Sequence, residues 1–341
     1  MLDERKKLIF SSIVEGYIDT GEPVGSKSLS ELFRNSVSSA TIRNEMAFLT
    51  ERGLIGQPHT SAGRVPTYRG IRYYLDNLMK KKELSGREKQ ELDYIFSETE
   101  GDYERFISKA ADRFADKLGC AVLGRTVPSD ERRISKIELL HPFSGVFVVV
   151  LVTSDLKANS KVCSVDFPFS QEEANLFVSM VNSEFSMMAL SNVTLSFIQS
   201  AAVRMGSLGL GFSSLLFTIY ELCRSADSER LFIEGEANLL SNGVLGKREL
   251  FKLKELLEKG ELPGISSGNN VKTEIILGNE MPADELSSLS MVMTHYNIGK
   301  SEGSVGIIGP IRLNYSFVIP CVEYFAQSFS SYYSDKNKGE Y

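Results

Sequence analysis

The sequence has no tryptophan, three histidines, four cysteines and ten prolines in 341 residues. None of His59, His141 and His295 stands at metal-ligand spacing from another, so no zinc motif is present. Cys120, Cys163, Cys223 and Cys321 are far apart and form no C-x-x-C pair, which leaves buried free thiols in a reducing cell as the expectation. Sparse proline and glycine exclude extended disorder, and only the polar tail 334–341 lacks a packing pattern. Long apolar runs are missing as well. The longest, residues 146–152, falls far short of the roughly 20 needed to cross a bilayer. The first seven residues are charged, unlike a signal peptide. A cytoplasmic protein with no membrane partner is therefore expected.

Catalytic signatures are equally scarce. Gly206, Gly209 and Gly211 do not have dinucleotide-fingerprint spacing and no Lys-Ser/Thr follows for a phosphate loop, so they read as a turn between domains. The expectation is a protein that is not an enzyme, without catalytic residues, cofactor or metal.

What the chain does have is an uneven charge. The net charge is −6, yet residues 1–82 carry 13 Lys and Arg against 9 Asp and Glu, or +4, and the remainder carries 25 against 35, or −10. From 34 to 72 six basic residues face only Glu45 and Glu51. An acidic body with a basic end suits a phosphate backbone.

The basic end has a periodic pattern. Phe10, Ile13, Val14, Tyr17 and Ile18 form one apolar stripe, predicting a helix to about Asp19 that the sequence Thr20-Gly21-Glu22-Pro23 breaks. A short second helix is expected from Ser26–Ser28 to Phe33, with Ser28 and Glu31 at capping-box spacing. A third, capped by Ser38 or Ser39, runs from Ala40 to Arg52 and places Ile42, Met46 and Leu49 on one face. The other face carries Ala40, Asn44 and Ala47, flanked by Thr41 and Arg43. Alanines permit close approach to a major groove, where Arg and Asn make bidentate contacts to guanine and adenine edges. A merely solvated face is the competing reading. Next, Leu54 and Ile55 open a strand, residues 59–64 form a polar loop with Gly63 available for positive φ, and Val65 leads out before Pro66 stops the pairing. This is a two-stranded wing with a basic tip, with Arg64 the stronger candidate and His59 the weaker for phosphate or minor-groove contact.

Beyond the wing, residues 68–82 read as a helix ending in Lys80-Lys81-Lys82, either touching phosphates or solvated. A linker at 84–86 precedes a helical stretch over 88–118 with Tyr94, Phe96, Phe106 and Phe114 as core candidates. Strands at 134–140, 146–153 and 161–167 predict an antiparallel meander. Residues 171–226 turn helical, with Met180, Met187, Met188 and Leu190 suited to a core and a subunit contact. A strand at 231–233, a helix at 247–259 and strands at 271–277, 291–298 and 303–313 follow. The final helix carries Val318, Val322, Phe325, Phe329 and Tyr332 on one face, with Pro320 in its first turn.

Ser39-Ala40-Thr41-Ile42-Arg43-Asn44-Glu45-Met46-Ala47, then Gln57-Pro58-His59-Thr60-Ser61-Ala62-Gly63-Arg64-Val65-Pro66-Thr67 and Arg72-Tyr73-Tyr74, resemble the HrcA family of heat-inducible repressors. Gly21-Glu22-Pro23-Val24-Gly25-Ser26, Phe232-Ile233-Glu234-Gly235 and the stretch 308–315 are similar too. Ile71 departs from the tyrosine expected after Gly70. The resemblance implies an α+β chain: a winged helix-turn-helix over 1–83, a GAF-like domain over 84–130 and 227–341, and an inserted dimerising α+β domain over 131–226. It implies a homodimer that represses chaperone operons by binding double-stranded DNA at the CIRCE inverted repeat, with the chaperonin GroEL as partner. Expected DNA-binding residues are Ser39, Ala40, Thr41, Arg43, Asn44, Ala47, His59, Thr60, Ser61, Gly63 and Arg64. The alternative is a winged-helix regulator gated by a small molecule in its GAF-like domain.

Overall fold

The computed structural model describes residues 2–59, 62–97, 103–126, 132–143, 145–154, 156–166, 168–228, 230–265, 273–298 and 301–338. It is a mixed α+β chain of helices and antiparallel sheets that divides into two compact units. One comprises Met1–Arg125, Leu231–Tyr296 and Ser304–Tyr341, and the other Thr126–Arg230 and Asn297–Gly303.

The larger unit begins with α1 (Glu4–Thr20), α2 (Ser26–Leu32), α3 (Ser39–Glu51), the strands β1 (Ile55–Gly56) and β2 (Val65–Pro66), and α4 (Tyr68–Asn77). Ile9, Phe10, Ile13 and Val14 of α1 meet Ile42, Met46 and Leu49 of α3 in a shared core, as the apolar spacing dictates. Thr67 caps α4 by accepting from the Gly70 N–H at 3.0 Å, and its hydroxyl donates to the Gly53 carbonyl at 2.7 Å. Gly70 lies so close to the Leu54 carbonyl that a Cβ there would sit 1.9 Å from the oxygen. The helix stops at Asn77, short of the lysines expected to end it. Lys81 instead pairs with Glu323 at 2.6 Å and Lys82 with Glu88 at 2.9 Å, so two of the three lysines are held by carboxylates of the same unit.

The body of this unit is a five-stranded sheet in the order Arg230–Glu234, Ala121–Thr126, Ser301–Pro310, Leu289–Ile298, Glu274–Leu277. Ala121–Thr126 is buried along its whole length, as a strand covered on both faces must be. On one face lie Met291, Met293 and Ile308 with Leu253, Leu256 and Leu257 of the helix Lys247–Glu258. On the other, Tyr296 meets Phe329 edge-on at 4.9 Å. That ring belongs to the helix Tyr315–Lys338, whose Phe325 stacks on Phe114 at 4.4 Å and touches Phe96 at 4.9 Å. Phe96, Phe106 and Phe114 are buried as expected, but Tyr94 is 60% exposed, on the outer face of the helix Gly86–Ser97.

Pro320 is the sixth residue of Tyr315–Lys338, in the second turn and not the first. With no N–H, it leaves the Ser316 carbonyl without a helical donor. The backbone N–H of Lys82 donates to that oxygen at 2.8 Å.

In the smaller unit the strands Ile134–Phe143, Val146–Thr153 and Ala158–Ser164 form the expected meander. Phe147, Val149 and Leu151 point alternately into a core closed by Phe177, Phe185, Phe212 and Ile219. The helix Gln171–Phe185 starts with a full capping box between Ser170 and Glu173. Asn182 ties it to the sheet: its amide oxygen accepts from the Ile137 N–H at 2.9 Å and its NH₂ donates to the Ile137 carbonyl at 2.7 Å. The glycine trio forms a short helix, Gly206–Gly211, inside this unit and not a turn between domains. Of the methionines, Met180 and Met188 pack on the core while Met187 is exposed.

Cys120, Cys223 and Cys321 are buried, and burial pushes their thiols up to about 11, 12 and 11 respectively. At pH 8 these three remain protonated and therefore poor nucleophiles. A colorimetric thiol reagent at that pH is expected to label only Cys163 in the folded protein and all four cysteines in denaturant. Fast labelling of two or more thiols under native conditions would contradict this packing.

Candidate nucleic-acid interface

The third helix starts where the sequence places it. Ser38, in extended conformation, accepts from the Thr41 N–H at 3.1 Å, and the Ser38 and Thr41 hydroxyls lie 2.9 Å apart. Ser39 is already helical, and its hydroxyl lies 3.0 Å from that of Ser26, which joins the starts of α2 and α3. Between them the chain reverses through Arg34 and Asn35, both left-handed at φ 51 and 59. The Ser30 hydroxyl donates to the Val37 carbonyl at 2.8 Å and fixes that reversal. The second helix itself is not capped as expected. Its cap is Gly25, without a side-chain bond, and the Ser28 hydroxyl donates back to the Gly25 carbonyl at 2.8 Å from inside the first turn.

Burial of Ile42, Met46 and Leu49 turns Ala40, Arg43, Asn44 and Ala47 to the outside, and all four are exposed. Ser39 and Thr41 are half-buried and positioned by the hydroxyl contacts above. One flank of α3 is held by Lys6, whose ammonium lies 3.2 Å from Glu45 and 5.1 Å from the Phe48 ring centre. The other flank is met by Arg64, whose Nε donates to the Thr50 hydroxyl at 3.3 Å. Arg64 and the exposed Arg43–Asn44 face thus belong to one continuous surface.

The ribbon differs from expectation in two respects. Pro66 does not end the pairing but takes part in it, opposite Ile55, with Val65 opposite Gly56. A ladder this short has room for a residue without an N–H. Gly63 does not need positive φ; it is needed for close approach, since a Cβ would lie 2.5 Å from the Val24 carbonyl carbon and oxygen. There the loop crosses the chain before α2, and Val24 and Arg64 exchange both backbone hydrogen bonds at 2.9 Å. No sequence pattern around Val24 signals this third pairing. At the tip His59 is exposed, its carbonyl accepts from the Ala62 N–H at 2.9 Å, and the Gln57 amide donates to the Ala62 carbonyl at 3.1 Å. Thr60 and Ser61 lie outside the described residues.

Through α4 this module is seated on the body of its own unit. Arg72 donates to Glu280 at 2.5 and 3.2 Å and to the Ile275 carbonyl at 2.8 Å, and the Tyr68 hydroxyl donates to the Ser287 carbonyl at 2.6 Å. Neither contact follows from local sequence, since the partners are more than 200 residues apart.

Among the described residues no group of three His, Cys, Asp or Glu is placed to hold a metal. His59 is exposed, His141 stacks on Phe147 at 4.7 Å, and His295 is buried with no hydrogen-bond partner at either ring nitrogen among the described residues. No described helix is long and apolar enough to cross a membrane.

A capped helix that exposes Arg43 and Asn44 between two alanines is a surface suited to nucleic-acid contact. Residues 104–319 match the family model described as the HrcA protein C terminal domain. Heat-inducible transcription repressor HrcA of Sphingopyxis alaskensis is 32% identical over 345 aligned positions, covering 96% of each chain. That of Syntrophobacter fumaroxidans is 31% identical over 341, covering 96% of this chain and 97% of its own. The chain belongs to the HrcA family of heat-inducible transcription repressors. A solved structure described as a hypothetical protein shares the fold over 98% of this chain and 99% of its own, with a TM-score of 0.62 at 22% identity.

Proposed function

We propose that this protein is a cytoplasmic, homodimeric repressor of heat-shock operons that reads the CIRCE inverted repeat with a winged helix-turn-helix formed by residues 1–83. The carrying observation is the outward face of α3, where Arg43 and Asn44 stand between the small residues Ala40 and Ala47. Such a face enters a major groove deeply enough for bidentate base contacts. In this reading Arg64 and His59, with Thr60 and Ser61, contact backbone or minor groove from the wing. Residues 84–130 and 227–341 act as a GAF-like body and 131–226 as the inserted dimerising domain. Two-fold symmetry then sets two α3 helices one turn of DNA apart, which is why the operator is an inverted repeat. Family membership supports repression of heat-shock genes; GroEL is the proposed partner that keeps the repressor active.

The test is a footprint of the purified protein on chaperone promoters of its own genome, where symmetric protection of an inverted repeat is expected. No protection there would sink the operator assignment. Arg64→Ala should weaken binding to all duplexes alike and reduce the slope of log affinity against log salt by about 1. A loss confined to one sequence would mean that Arg64 reads a base.

A further inference from the structure

On the flank of α3 away from Arg64, beyond the Lys6 ammonium that lies over Phe48 at 5.1 Å, the surface is hollowed. Thr50, which meets Arg64, and Arg52 are separated by about 160° around the helix. On the Arg52 side a cavity of about 330 Å³ opens between the start of the chain, the end of α3 and α4. That volume is within the range of small-molecule sites, about 300–1,000 Å³. Its wall is apolar and aromatic: Leu54 is buried, and Phe48 and Tyr73 are half-buried. Its cations are Arg52, Arg69 and Arg72. Arg72 is neutralised by Glu280 and, at 3.6 Å, by Asp76. Arg52 and Arg69 are exposed, and among the described residues neither has a carboxylate partner. Arg52 lies over the Phe48 ring at 5.1 Å, so the ring and the guanidinium are presented together.

Two guanidiniums without counter-ions above an aromatic wall call for one chemistry, an anionic group joined to a flat ring. We propose that this cavity binds a small aromatic anion, with a phosphate or carboxylate on Arg52 and Arg69 and the ring against Phe48 and Tyr73. Asp76, also in the lining, accepts a donor group on the ring. Because Arg72 borders the cavity while holding Glu280 and the Ile275 carbonyl, occupancy is felt at the contact that seats the module on the body. The proposal does not depend on operator binding and is tested without DNA.

Isothermal titration of the full-length protein with adenosine monophosphate, benzoate and inorganic phosphate is the experiment. At least one of the two aromatic anions is expected to bind saturably, one per chain, and inorganic phosphate at least tenfold more weakly than adenosine monophosphate. Which aromatic anion binds more tightly identifies the anionic group as phosphate or carboxylate. The R52Q/R69Q double variant should weaken binding at least tenfold with an unchanged melting curve, both side chains being exposed. Glu280→Gln should tighten it by removing one of the two carboxylates that neutralise Arg72. The proposal is overturned if neither aromatic anion binds saturably, or if R52Q/R69Q leaves the affinity unchanged.

Discussion

A chain carrying both Arg43→Ala and Asn44→Ala is expected to bind the proposed inverted-repeat operator at least about 100-fold more weakly, measured by a gel-shift titration at fixed salt. Each bidentate base contact contributes about 1–3 kcal/mol, and about 1.4 kcal/mol is a factor of ten. In the proposed symmetric dimer both half-sites lose their contacts at once, so the combined effect exceeds that of one helix. Neither side chain touches the core formed by Ile42, Met46 and Leu49, and the melting curve should shift by less than about 0.5 kcal/mol. The single variants should also differ in kind, each relaxing preference at its own base position. If the double variant binds the repeat as tightly as the parent, the exposed face of α3 is a solvated surface and the base-reading element lies elsewhere.

Phe325→Ala should be the most damaging single core substitution in the larger unit, costing about 3–5 kcal/mol. The ring is 1% exposed, stacked on Phe114 at an interplanar angle of 10° and in contact with Phe96. Its removal opens a hole where three helices meet, Gly86–Ser97, Tyr103–Leu118 and Tyr315–Lys338, and Phe114 and Phe96 lose their shared partner. The variant should unfold at clearly lower denaturant by far-UV circular dichroism. Phe325→Leu, which keeps most of the volume, should cost markedly less. Equal losses for the two would mean that the aromatic stacking, and not the filled space, accounts for the stability.

How far residues dictate structure locally is plain from α3. The Ser38 hydroxyl, the apolar triplet and the absence of a breaker are all short-range, and together they set the start of the helix and its outward face. The meander is legible from the short spacing and the turn residues between its segments, although its third strand spans Ala158–Ser164 and not 161–167. The features that sequence did not disclose depend on distant partners. Gly63 and Gly70 are glycines for the sake of Val24 and Leu54, not for their own φ. For Lys81 and Lys82 the sequence allows a phosphate contact or a solvated helix end, and neither anticipates Glu323 and Glu88 beside them. Tyr94 followed the apolar count of its helix but not its facing, since Leu92, Ile95 and Phe96 already fill the buried side. The cavity beside Arg52 and Arg69 escaped for the same reason, being walled by residues from three separate segments.

The bond from the Lys82 N–H to the Ser316 carbonyl has an evolutionary consequence. It is made by main chain at both ends, so position 82 can drift among nineteen amino acids without breaking it. Only proline there would remove the donor. At position 320 a residue with an N–H would offer the same oxygen a second, helical donor, which its other lone pair can accept. With Pro320 in the helix, proline at 82 would leave the Ser316 carbonyl without either main-chain donor, so the two positions tolerate proline singly but not together.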